Sequence, residues 1–318
     1  MQISGGISIT GGVSLIPGSG GSSGGGYSFQ GSNFGYTPGG TPSYQNTIDK
    51  FPFASDSNAT DVGDLSAGKF NSAGQSSSTN GYSSGGYTPV WANSDSIEKF
   101  PFSSDGNATD VGNATVARTH LSGQSSSTNG YSSGGYVASD INVIDKFPFA
   151  SDGNATDVGD LTVARYGSAG HSSTENGYSS GGWNSNIIDK FSFASDGNST
   201  DVGDCVSNIV FLAGQSSTTH GYGSGGSQGS PAVVVSTVEK FPFASDASGT
   251  NVGSITTMRT YQCGQSSTLS GYTSGGTLPS SGTTNIIDKF PFASDGSSTD
   301  VGDLTVERTA IGSVGQQY

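Results

Sequence analysis

The chain has 318 residues, of which 31% are hydrophobic and 52 are glycine, so apolar and small residues together are numerous enough to form a buried core. Acidic residues outnumber basic residues 25 to 11, and the resulting net charge of -14 opposes binding to nucleic-acid phosphates or anionic lipids. We therefore expect no nucleic-acid partner. Because no apolar run reaches roughly 18 residues, we also expect no membrane insertion.

Residues 1–26 differ from the rest of the chain because they are rich in glycine and serine and do not repeat. Apolar residues alternate at Ile7 and Ile9 and again at Val13 and Leu15, which favours short strands that cannot bury their apolar side alone. The glycine-rich run that follows indicates a flexible tether. The segment lacks the basic stretch followed by an apolar stretch that a Sec signal requires. We interpret residues 1–26 as a docking tail.

Residues 27–318 are built from two phrases that each occur six times. One phrase contains a Lys-Phe pair and the other reads Gly-Tyr-x-x-Gly-Gly. The lysines are Lys50, Lys99, Lys146, Lys190, Lys240 and Lys289. The tyrosines are Tyr36, Tyr82, Tyr131, Tyr178, Tyr222 and Tyr272. The lysines follow one another at steps of 49, 47, 44, 50 and 49 residues, a period typical of propellers and solenoids.

Each unit is predicted to contain four short strands and no helix. In the third unit, Asn142–Phe149 is rich in β-forming residues and ends at the turn sequence "SDGN". Further strands are predicted at Asp157–Val163, from Gly170 and from Gly177. Four strands in about 48 residues indicate one propeller blade. Pro148 cannot donate a backbone hydrogen bond, so it must lie at a bulge or a strand end.

The order of the two phrases predicts a closed ring of six blades. The first complete phrase contains Tyr36 and the last contains Lys289, so the repeated region begins and ends inside a unit. A linear solenoid usually carries atypical capping repeats, whereas a ring can join two half-units. We expect Thr309–Tyr318 to pair beside the strand that contains Tyr36.

The repeat resembles the kelch family of β-propellers. Kelch units carry a Gly-Gly pair, a hydrophobic strand, a large residue in the next strand and an arginine, and the corresponding residues here are Gly181–Gly182, Ile187–Phe193 and Val202. The arginine position holds Arg118, Arg165, Arg259, Arg308 and, in one unit, Lys69. The chain departs from the family because its outer strand has no tryptophan and its fourth unit reads "CVSNIVF" at the arginine position. The resemblance implies an all-β, six-bladed propeller of four-stranded blades over residues 27–318.

The sequence also resembles virion structural proteins of marine tailed phages, cyanophages above all. The residues that carry this resemblance are the opening "MQISGGISITGG" and the nearly identical "KFPFASDxNATDVGDLTVAR" units. It implies a non-enzymatic tail- or fibre-associated protein that is assembled in the host cytoplasm and located in the virion. Residues 1–26 would dock on other virion proteins, and the propeller would attach to a host-surface glycan or protein. The alternative is a cellular protein-interaction module.

The segment Asp152, Asn154, Asp157 and Asp160 has two interpretations. Its oxygen-bearing side chains have a spacing that could bind calcium. The same residue types also close turns by bonding to backbone N–H groups. We favour the turn, because the fifth unit reads "DASGTNVGS" and lacks two of the carboxylates.

No residue of the sequence is predicted to be catalytic, and no cofactor is expected. A metal-dependent oxidoreductase is an alternative because the kelch family includes a copper oxidase, but His120, His171 and His220 come from three different units. Cys205 and Cys263 stand at different points of the repeat, and we interpret both as small buried residues.

The connections between each Gly-Gly pair and the next strand vary most from unit to unit. They contain the candidate ligand-binding aromatics Tyr44, Tyr87, Trp91, Tyr136 and Trp183. In a ring of blades, all six connections would emerge on one face. Aromatic rings on such loops suit stacking on sugars or docking of a protein, although they could also cover the ends of adjacent blades.

Overall fold

The computed structural model describes residues 31–229, 231–280 and 282–309. Within these ranges the chain is all-β and contains no helix. Its 26 strands pair antiparallel in seven sheets of three or four strands, and none of the sheets closes on itself into a barrel.

The strands and the six main sheets are both numbered in the order in which they occur along the chain. Sheet 1 contains β1 (Phe34–Gly40), β2 (Gln45–Pro52) and β3 (Thr60–Asp64). Sheet 2 contains β4 (Ala73–Ser76), β5 (Asn80–Ser84), β6 (Ser96–Pro101) and β7 (Thr109–Asn113). Sheet 3 contains β8 (Ser122–Ser125), β9 (Asn129–Ser133), β10 (Val143–Pro148) and β11 (Thr156–Asp160).

The second half of the chain repeats this order. Sheet 4 contains β12 (Ala169–Ser172), β13 (Asn176–Ser180), β14 (Ile187–Ser192) and β15 (Thr200–Asp204). Sheet 5 contains β17 (Ala213–Ser216), β18 (His220–Ser224), β21 (Thr237–Pro242) and β22 (Thr250–Ser254). Sheet 6 contains β23 (Cys263–Ser266), β24 (Ser270–Ser274), β25 (Thr284–Pro291) and β26 (Thr299–Arg308). A small additional sheet contains β16 (Ile209–Val210), β19 (Ser227–Gln228) and β20 (Val233–Val234).

The four strands predicted in the third unit are present, but they do not pair as one sheet. Strands β10 and β11 end sheet 3, whereas β12 and β13 begin sheet 4. The reason is that the segment after β11 buries Leu161 and Arg165 and carries the chain to the next sheet. Each sheet therefore joins the serine-rich half of one unit to the Lys-Phe half of the next. The predicted position of Pro148 at a strand end is confirmed.

Local chemistry explains the tight turn between the first two strands of sheets 2 to 6. In sheet 3, the Ser126 hydroxyl accepts hydrogen bonds from the backbone N–H groups of Thr128 and Asn129 at 3.3 and 2.9 Å. Serine commonly closes turns in this way. At the far end of β9, Gly134 has a φ of 63°, a conformation that glycine adopts without steric cost.

The first strands of successive sheets pack directly against one another. Each uses a backbone N–H to bond a serine hydroxyl of the next, as in Ser76 to Ser125 at 3.0 Å and Ser125 to Ser172 at 3.0 Å. The backbones approach so closely that a Cβ added to Gly123 would lie 2.1 Å from the carbonyl oxygen of Gly74. These strands therefore require glycine at this position.

Aromatic side chains form the apolar contact between each sheet and the next. Tyr82 of sheet 2 stacks on Phe149 of sheet 3 at 4.9 Å and also contacts Phe147 at 5.5 Å. The same contact recurs between sheet 6 and sheet 1, where Tyr272 stacks on Phe53 at 4.7 Å. The paired phenylalanines thus pack between neighbouring sheets at these contacts.

Buried ion pairs connect the sheets at the position that resembles the kelch arginine. Arg165 donates to Asp189 at 2.8 Å, and both side chains are fully buried. The corresponding pairs are Lys69–Glu98, Arg118–Asp145, Arg259–Asp288 and Arg308–Asp49. Lysine is shorter than arginine and glutamate is longer than aspartate, so the Lys69–Glu98 pair can form in the place of an arginine–aspartate pair. The last pair joins sheet 6 to sheet 1.

The C-terminal end of the described region lies beside the connection that follows β1. Thr309 forms an antiparallel bridge with Thr41, with N–H to carbonyl distances of 2.8 and 3.0 Å. The predicted pairing of Thr309–Tyr318 beside the strand of Tyr36 rests mostly on residues 310–318, which lie outside the described residues, as does the predicted tail at residues 1–26. Sheet 1 accordingly has three described strands, where the sequence predicts four.

The fourth unit departs from this pattern. Its "CVSNIVF" segment forms β16, which pairs with the long connection that contains β19 and β20. The carboxylate corresponding to Asp189 is Glu239, which is 6% exposed. It accepts a backbone hydrogen bond from Val206 at 3.0 Å and takes part in no ion pair among the described residues.

Candidate functional site

Of the five predicted aromatic residues, Tyr44 lies in the connection between β1 and β2 of sheet 1. The other four lie in the connections between the second and third strands of sheets 2 to 4. Trp91, Trp183 and Tyr136 are 77%, 45% and 37% exposed. Tyr44 and Tyr87 are half-buried. The structure brings these residues together in two clusters.

The first, the Trp91 cluster, contains Tyr44, Phe70, Tyr87 and Trp91. Phe70 contacts Tyr44 at 5.4 Å and Tyr87 at 5.6 Å, measured between ring centroids. The edge of Trp91 meets Tyr44 at 6.3 Å. Trp91 has a φ of 59° and donates its backbone N–H to Thr88, so a tight turn holds the exposed indole outward.

The second, the Trp183 cluster, contains Tyr136, Tyr166 and Trp183. Trp183 stacks on Tyr166 with a centroid distance of 5.6 Å and an interplanar angle of 13°. Tyr136 contacts the same tyrosine edge-on at 5.4 Å. A backbone hydrogen bond from Trp183 to the carbonyl of Tyr166 fixes the two segments side by side at 2.9 Å.

The clusters are joined by residues that directly precede the first strands of sheets 2 to 6. These residues, the central arc, are Asn71, His120, Gly167, Phe211 and Tyr261. Each donates its backbone N–H to the carbonyl of the preceding member at 2.7 to 3.1 Å. All five line one cavity of about 40 Å³. The two clusters and the central arc therefore form one surface, which we call the aromatic face.

Within the central arc, the rings of Phe211 and Tyr261 stack at 3.9 Å. His120 contacts Phe211 at 5.4 Å and Tyr166 at 5.5 Å, and Asn71 Nδ2 lies 2.7 Å from His120 Nε2. The connection to the Trp183 cluster is direct, because Tyr166 also contacts Phe211 at 5.8 Å.

A larger cavity of about 460 Å³ opens beside the Trp183 cluster. Its walls come from β16, from the connection that follows β18, and from the turn at Trp183 and Asn184. Phe211 and Tyr261 extend from the central arc to line it as well. We call it the fourth-unit cavity, because β16 belongs to the segment where the fourth unit departs from the repeat.

Burial favours the uncharged forms of His120, Tyr166 and Tyr261 on the aromatic face by shifting their pKa values. Burial lowers the pKa of His120 to about 4 and raises the pKa of Tyr261 to about 12. The pKa of Tyr166 is also raised, first by burial and then by the nearby carboxylate of Asp140. These rings can therefore present apolar faces and neutral hydrogen-bonding groups to a ligand.

The residues considered for calcium binding contact neighbouring backbone and side chains. Asp152 accepts from Lys99 of the preceding unit at 2.5 Å, and Asn154 accepts from the backbone N–H of Asn113 at 3.0 Å. Asp157 closes a local turn by accepting from the N–H of Gly159 at 3.1 Å. Asp160 donates its backbone N–H to a side chain of the following unit. Asp152, Asn154 and Asp160 thus join neighbouring sheets, whereas Asp157 closes its own turn.

The histidines and cysteines lie apart from one another. His171 is fully buried and contacts the carbonyl of Gln215 at 3.1 Å and the hydroxyl of Ser180 at 2.7 Å. Cys205 and Cys263 are both buried and unoxidised, in agreement with the sequence prediction. Within the described ranges, no group of three or more His, Cys, Asp or Glu residues could hold a metal ion.

Sequence reasoning missed the contribution of Tyr166, Phe211 and Tyr261 to the aromatic face. Phe211 and Tyr261 occupy a position that is asparagine, histidine or glycine in the other members of the central arc, and Tyr166 occupies the preceding position, which also varies from unit to unit. That variation could have revealed them. It was hidden because these residues directly adjoin the serine-rich strand, which repeats closely.

In the part of the chain that the structure describes, no helix has the length and apolar character needed to cross a membrane. The chain matches no protein-family model and no curated protein.

Proposed function

We propose that the protein is a non-enzymatic structural component of a phage particle and that its aromatic face binds a glycan on the host surface. The sequence resemblance to virion proteins of tailed phages supports the location. The convergence of Trp91, Trp183 and their neighbouring rings on one surface supports the binding role. This convergence is the observation on which the proposal mainly rests.

The proposed scaffold is a six-bladed propeller in which sheets 1 to 6 are the blades. Its support is that equivalent contacts run from each sheet to the next and from sheet 6 to sheet 1, as in Arg308–Asp49 and Tyr272–Phe53. Residues 313–317 read "SVGQQ", close to the "SAGQS" of residues 72–76 that contains β4. We propose that they supply the fourth strand of sheet 1.

The chemistry of the aromatic face favours sugars over charged ligands. Pyranose rings have apolar C–H faces that pack on aromatic side chains, and their hydroxyls need neutral donors and acceptors. Rings held by a rigid sheet scaffold lose little conformational entropy when they bind. The net charge of -14 also disfavours anionic partners.

A glycan array tests the binding role. We expect the full chain to bind a subset of sugars and Trp91→Ala or Trp183→Ala to weaken that binding, because each removes an exposed stacking surface. Leu269→Ala is the matched control, since Leu269 is 74% exposed and follows β23 at the end opposite to Tyr261. Absence of any glycan signal, together with capture of a host protein through the same tryptophans, would instead indicate a protein-interaction module.

The proposed docking role of residues 1–26 has a separate test. A chain that lacks residues 1–20 should unfold at the same temperature as the full chain but should be absent from purified particles. Particles that still contain the shortened chain would contradict docking through this segment.

A further inference from the structure

The fourth-unit cavity exists at the one place where the repeat is altered in both its strand segment and its connection. In the other described units, the residue corresponding to Val210 forms a single bridge or backbone hydrogen bond with the connection, as Thr260 does with Thr277. Here β16 forms a ladder with β19, which pairs in turn with β20. The longer connection therefore lies beside Trp183 and forms a second wall of the cavity. The space between this connection and Trp183 remains open.

The size of this cavity suits a small ligand. Its volume is about 460 Å³, within the range of roughly 300–1,000 Å³ found for small-molecule sites. The cavity that the central arc lines, at about 40 Å³, is too small for anything beyond a few water molecules. The aromatic face thus offers one site of ligand size along the units that line it.

The lining combines aromatic surface with neutral polar groups. Trp183, Phe211 and Tyr261 supply rings, and the exposed amides of Asn184 and Asn208 supply donors and acceptors. An amide both donates and accepts hydrogen bonds, as does each sugar hydroxyl. This mixture of ring faces and amides matches the alternating apolar faces and hydroxyl edges of a pyranose.

None of the described residues that line the cavity is charged. A ligand carboxylate, sulfate or ammonium that entered the cavity would lose hydration without gaining a counter-ion, which is costly. Asp140 acts electrostatically on Tyr166, which stacks on Trp183, and its charge would repel an anionic sugar further. An uncharged ligand avoids both penalties.

We propose that the fourth-unit cavity binds a neutral saccharide, held by stacking on Trp183 and by hydrogen bonds from the amides of Asn184 and Asn208. This inference rests on the proposed function and locates the glycan in one cavity of the aromatic face. It also assigns a use to the altered fourth unit, whose sequence opens a ligand site that the regular repeat does not provide.

The test is a printed array of neutral, sialylated and sulfated oligosaccharides, followed by titration of the strongest binder. We expect neutral glycans to bind. Asn208→Ala should weaken binding about tenfold through lost hydrogen bonds, and Trp183→Ala should weaken it further. Ala232→Trp should abolish it, because Ala232 is an exposed residue of the cavity wall and a larger ring there would fill the opening.

Leu269→Ala is the matched control, since Leu269 is exposed but does not line the fourth-unit cavity; it should change the affinity by less than about twofold. Thermal unfolding verifies that each variant is folded. Glycan binding that is lost in Trp91→Ala but unchanged in Asn208→Ala and Ala232→Trp would overturn this location and leave the proposed function intact. Binding restricted to charged glycans would overturn the neutral ligand, and no glycan binding at all would overturn both proposals.

Discussion

At the scale of single residues, the buried carboxylates show how the repeat tolerates charge inside the protein. A buried ion pair is satisfied only if both partners are present with good geometry, and four arginines and one lysine meet this need. Glu239 lacks such a cation, and burial raises its pKa. Cys205 lies beside it, and its thiol pKa is also raised by burial and then by Glu239.

We expect Glu239→Gln to stabilise the protein at neutral pH by roughly 1 kcal/mol, because the amide removes an uncompensated buried charge. A carboxyl whose folded-state pKa is raised costs stability as the pH rises through that pKa. The added stability of Glu239→Gln should therefore be present at neutral pH and disappear below about pH 4.5, near the ordinary pKa of a glutamate side chain. Denaturant unfolding across this pH range measures it.

Asp189→Asn is the matched control, since Asp189 is the equivalent carboxylate with its cation in place. The substitution leaves Arg165 buried and unpaired, so it should lower the free energy of unfolding by roughly 3–5 kcal/mol. A loss of stability in Glu239→Gln of similar size would show that the charge of Glu239 is compensated in some other way.

At the scale of strands, the contact between the first strands of successive sheets determines how closely the sheets can approach. These strands are short, four residues each, and they meet backbone to backbone at glycine. The serine hydroxyls beside each glycine satisfy the backbone N–H groups of the neighbouring strand, as buried donors require. The glycine and serines of these strands therefore contribute to the packing between sheets as well as to the turns.

We expect Gly123→Ala to lower the free energy of unfolding by roughly 2 kcal/mol through overpacking, because the new methyl would meet the backbone of Gly74, which cannot move aside. Gly153→Ala is the control, since a Cβ at Gly153 meets no atom within 4 Å and should change stability by less than about 0.5 kcal/mol. Equal unfolding midpoints for the two variants in urea would contradict the close approach of these strands.

At the scale of the whole molecule, the contacts between sheet 6 and sheet 1 make each sheet dependent on two neighbours. Arg308 reaches Asp49 and the carbonyl of Gly39, and Gln265 donates to the backbone of Tyr36. Residues far apart in sequence are therefore packed as closely as those of adjacent units. Loss of one junction should weaken the entire assembly and not one sheet alone.

Deletion of residues 309–318 tests this dependence. We expect the shortened chain to unfold in a single cooperative transition at a clearly lower denaturant concentration, because sheet 1 would lose the strand proposed for it and expose an unpaired edge. A chain without residues 1–20 serves as the control and should keep the original midpoint. Faster hydrogen exchange confined to sheet 1, with the midpoint unchanged, would contradict the proposed closure.

Much of the local structure could be predicted because each unit carries its own signals. The β-forming run at 142–149 contains β10 at Val143–Pro148, and the proline fixed its end. Both phrases were recognisable as repeated structural units by their regular recurrence. The five candidate aromatics could be chosen because they stand where the units differ, although nothing in the sequence stated which of them meet.

The sequence by itself determined which segments of the regular unit form strands, although not every boundary, since backbone preferences and turn chemistry act over a few residues. Only the tertiary structure decided which strands share a sheet, that Arg165 meets Asp189 across 24 positions, and that Tyr166, Phe211 and Tyr261 join the predicted aromatics. It also decided that the altered fourth unit opens a cavity. These features depend on the approach of separate units in space, and that approach follows from the packing of their backbones and rings rather than from any single segment.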